Sequence, residues 1–172
     1  MKNTTKQLVQ GGLLAAIYVA LTYAQNILWP DSATMAVQFR LSEALCVFAF
    51  FTPTAIFGLG LGCLLFNLSS IGALPFDFLV GTAATVFSTA CMWKLRGRRV
   101  LGLPLPGLLM PALWNAPLVG LELTLCLADR FSWGVFGMNA LFVFLGEAAV
   151  LLVLGSILFR ALDRGLARRL LK

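Results

Sequence analysis

Apolar residues run almost unbroken through five stretches of this chain, at about 8–29, 35–71, 78–93, 103–128 and 131–159, with few polar residues between them. A helix rising 1.5 Å per residue needs roughly 20 apolar residues to cross a bilayer core. The tract 35–71 is too long for one such span. Its middle carries "FTPT" at 51–54, where Pro53 breaks a helix. The pattern therefore predicts a helical hairpin there and six helices in all, at about 8–29, 36–52, 54–71, 77–94, 103–128 and 131–160. They form one domain over 1–172, with residues 161–172 as a basic tail.

The position of charge supports that count. Lys and Arg gather on the cytoplasmic side of membrane proteins. With six spans, Lys2 and Lys6, the loop "KLRGRR" at 94–99 and the tail from Arg160 all fall on one side, eleven of the 13 basic residues. Only Arg40 and Arg130 are left on the other. Five spans would turn one basic cluster outward. The first span has lysines before an apolar core, as a signal peptide does, but its run exceeds the usual core of about 7–15 residues. It is read as a retained helix. The fold class predicted is an all-α integral membrane protein with six transmembrane helices and both termini cytoplasmic.

Composition agrees. Charged residues make up 12% of the chain and hydrophobic ones 60%, whereas a soluble domain has about a quarter charged. The net charge of +6 follows from the inside loops and tail, which face anionic lipid, so nucleic acid is not expected as a partner. The chain has no histidine, which removes histidine bases, relays and metal ligands. Its four cysteines stand singly in apolar runs and read as small hydrophobes. No phosphate-binding loop is present, so no ATPase and no resident cofactor or metal are expected in this chain. No catalytic residue is assigned.

Gly12, Ala16, Ala20 and Ala24 repeat every four residues, which on a helix makes one smooth stripe. Such a stripe is either an internal packing seam or a docking face for another membrane subunit. Gly58 and Gly62 form a shorter pair, read as internal packing. Ionisable groups at bilayer depth are costly and mark functional sites by default. Those here are Arg40 and Glu43 on helix 2, Asp77 at the start of helix 4, Glu122 on helix 5 and Glu147 on helix 6. Asn67, Asn115 and Asn139 accompany them, with Trp114 and Trp133 as flat faces. Arg40 and Glu43, three apart, can neutralise each other, but one arginine cannot satisfy the other acids as well. A set rich in carboxylates suits a flat ligand rich in N–H donors, such as a guanine-like base, better than an anion.

The blocks "VQFRLSEALCVFAFFTPTAIFGLGLGCLLFNL" at 37–68 and "GALPFDFLVGTAAT" at 72–85 resemble the queuosine-precursor (QueT) family. "WNAPLVGLEL" at 114–123 and "GEAAVLLVLG" at 146–155 are similar to its later helices. That family comprises S components of energy-coupling factor (ECF) transporters. The resemblance implies a six-helix protein of the bacterial cytoplasmic membrane that binds a solute from outside. Expected ligands are 7-deazaguanine bases, in the aminomethyl or cyano form, or queuine. Arg40, Glu43, Asn67, Asp77, Asn115, Glu122 and Glu147 are the positions it carries to the substrate, and Ala16 and Ala20 to docking. Expected partners are a transmembrane scaffold subunit and two ATPase subunits that use ATP. The alternatives are an S component for thiamine or riboflavin, a self-contained proton-coupled carrier using Glu147, and a membrane enzyme using Glu43 and Asp77.

Overall fold

A computed structural model describes residues 3–30, 39–71 and 73–165, which are helical apart from short turns and an isolated Val100–Leu103 bridge. Helix α1 covers Asn3–Leu28, a 3-10 helix covers Leu41–Phe50, and α2 covers Thr54–Ser69. Helix α3 covers Asp77–Leu95; α4 (Leu105–Leu108) leads into α5 (Met110–Leu127). Helix α6 (Trp133–Val150) passes through a π-helical turn at Leu151–Gly155 into α7 (Ser156–Asp163). Four of these rods are long and apolar enough to cross a membrane: Thr4–Leu28, Asp77–Leu95, Leu105–Leu127 and Trp133–Asp163. The 3-10 helix and α2 are shorter apolar elements.

Small residues set the packing. A Cβ on Gly58 would stand 2.7 Å from the Gly11 carbonyl oxygen, and one on Gly62 would stand 3.0 Å from that of Ala15. Helices α1 and α2 therefore touch backbone to backbone, running in the same direction, as small-residue seams allow. Gly120 of α5 lies equally close to Ala140 of α6, where a Cβ would meet the Ala140 Cα at 2.8 Å. The 3-10 helix runs back along α1, with Ser42 beside Thr22 and Glu43 beside Tyr18. Contacts from Asn67 to Asp77, Phe87 to Trp114 and Asn115 to Glu147 make α3, α5 and α6 alternate in direction in turn.

As a result the start of α1 and the end of α7 lie at one end of the bundle. The main apolar core fills that half, with Val47, Phe50, Leu59, Met92, Leu108, Leu151 and Phe159 all buried. The described basic residues cluster there too. Arg99 holds Asp163 through two hydrogen bonds of 2.9 and 3.0 Å, and Arg96 lies 3.8 Å over the Trp93 ring. Pairing with Asp163 pushes the Arg99 guanidinium above its ordinary pKa.

One element differs from the sequence expectation. The pattern predicts an ordinary helix over 36–52, whereas Leu41–Phe50 forms ten residues of 3-10 helix, and residues 31–38 lie outside the described part. Runs beyond three or four residues are uncommon. At about 2.0 Å per residue, ten residues reach about 20 Å, against about 15 Å for an α-helix. Of the predicted tail 161–172, residues beyond Gly165 also lie outside the described part.

Candidate binding site

Three residues per turn place Glu43 and Cys46 in one row along the 3-10 helix, and Arg40 is the extended residue just before its start. Both Glu43 oxygens are held: Tyr18 donates its hydroxyl to Oε1 at 2.8 Å and Cys46 its thiol to Oε2 at 3.2 Å. Gln25 of α1 fixes the start of the row. Its Oε1 accepts the Leu41 N–H at 2.8 Å, and its Nε2 donates to the Phe39 carbonyl. Thr22 donates to Ser42 at 2.8 Å. Sequence reading missed Tyr18, Thr22, Gln25 and Cys46. The first three stand at i, i+4 and i+7, a polar stripe on α1 that a face count finds.

The Arg40 side chain is 1% exposed. It lies within electrostatic reach of Glu43 and Asp77, of Glu122 and of Glu147. One guanidinium thus serves four carboxyl groups. Asn67, at the end of α2, donates its amide to the Asp77 carbonyl at 2.8 Å, and the Asp77 carboxylate accepts the Leu74 N–H at 2.7 Å. That bond closes the turn that leads into α3, so Asp77 both fixes this turn and lines the cluster. Gly81, one turn on, leaves the space between these groups open: a Cβ there would meet Asn67 Nδ2 at 2.8 Å and Arg40 Nη1 at 3.7 Å.

Deeper in the bundle, Asn115 of α5 donates to Glu147 of α6 at 2.8 Å, and Glu147 is fully buried. Asn139 is half-buried and donates to Thr124 at 3.1 Å. The predicted positions Arg40, Glu43, Asn67, Asp77, Asn115, Glu122 and Glu147 therefore come together inside the bundle. The two tryptophans do not join them. Trp114 packs on Phe87 at 5.2 Å between ring centres on the α3–α5 flank. Trp133 is 77% exposed and packs edge-on against Phe131 and Phe136. Thr85, Ser88 and Thr89, also buried, satisfy themselves on carbonyls of their own helix.

Several buried acceptors in the cluster take no hydrogen bond from the described residues: Asn67 Oδ1, Asn115 Oδ1, Glu147 Oε1 and both oxygens of Glu122. An unsatisfied buried polar group costs about 1–3 kcal/mol, so five such atoms gathered in one cluster are costly as they stand.

The small-residue stripe faces the opposite way. Gly12, Ala16, Ala20 and Ala24 are all exposed, while the seam against α2 uses Gly11, Ala15 and Tyr18 instead. Next to the stripe lies a groove of about 420 Å³ between α1 and α2, lined by residues such as Leu8, Gly12, Thr54 and Phe57.

Comparison with known proteins finds no match among curated proteins or solved structures. A family model described as QueT transporter matches residues 8–164. With nearly the whole chain matched, and apolar helices packed around a buried polar cluster, this membrane protein belongs to the QueT transporter family.

Proposed function

We propose that the chain is the S component of an ECF-type importer. It takes a queuosine precursor or salvage product from outside the cell and delivers it by docking to an ATP-driven module. The ligand is a 7-deazaguanine base, in the aminomethyl or cyano form, or queuine. One observation carries this reading beyond the family match: the buried acceptors of Asn67, Asn115, Glu122 and Glu147 that take no internal donor.

In this reading the base enters between the 3-10 helix, α3, α5 and α6. Its ring N–H and exocyclic amine go to carboxylates and asparagine oxygens, and its carbonyl goes to Arg40. Glu43 contributes through its remaining lone pairs, since a carboxylate has about four acceptor positions and Tyr18 and Cys46 use two. Asn139 and Trp133 stand at the end of the bundle where the base arrives, and Trp114 borders the site from the α3–α5 flank. All six rods cross the membrane, the two short ones included. The end carrying Lys6, residues 94–99 and Arg160 faces the cytoplasm, as the excess of positive charge there supports. The membrane is the bacterial plasma membrane. The scaffold subunit, with two ATPase subunits behind it, docks on Gly12, Ala16, Ala20 and Ala24, the exposed face of α1.

A binding screen tests this directly. Purified chain is titrated with 7-deazaguanine bases, thiamine and riboflavin, and binding is expected for the deazaguanines alone. Ala16→Leu with Ala20→Leu should leave that binding unchanged and abolish ATP-dependent uptake in cells. Uptake that persists without any ATPase subunit would instead establish a self-contained carrier.

A further inference from the structure

The four buried carboxyl groups differ in what already holds them. Glu43 has two donors, Tyr18 and Cys46. Asp77 has the Leu74 N–H, and Glu147 has the Asn115 amide. Glu122 is held least: it is 3% exposed, and although the Asp77 carboxyl and the Phe76 N–H stand near it, neither oxygen takes a well-formed hydrogen bond from the described residues. Its neighbours make this worse. The Asp77 carboxyl stands beside it, and the only guanidinium in reach is Arg40, shared with three other acids. Two buried carboxyl groups side by side are costly when both are ionised, and a shared proton or a cation placed between them relieves that cost.

We infer that Glu122, with Asp77 beside it, seats a protonated amine on a side arm of the ligand. This rests on the reading that the ligand is a flat base bound in the same cluster. The geometry divides the work. Asn115 and Glu147, deeper in the bundle, offer Oδ1 and Oε1 to the N–H edge of the ring. Glu122 and Asp77, near the far ends of α5 and α3, meet a substituent that projects from the ring. Glu122 is then the residue that separates a cationic side arm from a neutral one. An ammonium suits the pair because it brings three donors as well as charge.

The experiment compares two ligands of the same ring, aminomethyl-7-deazaguanine, which is cationic, and cyano-7-deazaguanine, which is neutral. Binding to the purified full chain is measured by calorimetry. The wild type should prefer the aminomethyl form, and Glu122→Gln should lower the ratio of aminomethyl to cyano affinity by about tenfold or more. A single size-exclusion peak and a cooperative thermal transition show that the variant is folded. Should Glu122→Gln not fold, the N-acetylated aminomethyl base on wild-type protein reads the same quantity, with the same loss expected. Equal losses for both ligands, or a wild type that binds the cyano form as tightly, overturn the ammonium seat alone. A sodium dependence shared equally by both ligands overturns it too, in favour of a metal cation at Glu122. A wild-type chain that binds neither base overturns the transport reading together with it.

Discussion

Tyr18 is the residue on which the 3-10 row depends most directly. It is 1% exposed and places its hydroxyl on Glu43, tying α1 to the row at its middle. Tyr18→Phe keeps the ring and removes only that donor, leaving a buried carboxylate oxygen unmatched. The expected cost is about 1–3 kcal/mol, read as a lower thermal midpoint in detergent, with a weaker ligand affinity alongside. A variant with wild-type stability would mean that Glu43 is held by Cys46 and Arg40 without Tyr18. The acids and amides of the cluster were legible in the sequence, because a charge in an apolar run stands out. Tyr18 and Cys46 are harder: a face count puts Tyr18 in a polar stripe on α1 and leaves Cys46 an ordinary member of its run, and only the fold shows which acid they serve.

At the scale of helices, the two faces of α1 carry opposite consequences for the same substitution. Gly58→Ala drives a Cβ to 2.7 Å from the Gly11 carbonyl oxygen, a contact with backbone that no rotamer change relieves. Helices α1 and α2 must separate, at about 1–3 kcal/mol. Gly12→Ala, on the exposed face, meets nothing within 4 Å and should leave the thermal midpoint of the isolated chain unchanged or slightly raised. Measuring both midpoints side by side checks which α1 face is the internal seam. Spacing alone predicted a seam or a docking face for the four-residue repeat, and could not choose, since both need small residues. The 3-10 form of Leu41–Phe50 was also illegible. "LSEALCVFAF" is apolar at most positions after Glu43, so it has no periodicity with which to tell three residues per turn from 3.6.

For the whole molecule, the alternating directions of the rods bring Lys94, Arg96, Arg98, Arg99, Arg160 and Arg164 to one end, opposite Asp129 and Arg130. Sidedness can be tested in intact cells with a cysteine-free background. Gly97→Cys, in an open loop where a side chain meets nothing within 4 Å, should resist a membrane-impermeant thiol reagent until the cells are broken. Asp129→Cys should react at once. The reverse pattern would turn the bundle over and put the polar cluster on the cytoplasmic half. The hairpin at Pro53 follows from hydropathy and a single breaker, which is why it could be anticipated. Which residues face inward does not follow, because nearly every face of these helices is apolar.

The 3-10 helix has a mechanical consequence. The same ten residues wound as an α-helix would be about 5 Å shorter, and each residue would turn by about 100° in place of 120°. Over the three-residue step from Glu43 to Cys46 that difference amounts to about 60°. Length and azimuth are one coordinate in this segment, as in a screw. Drawing its ends together would swing the glutamate and the thiol out of line with one another.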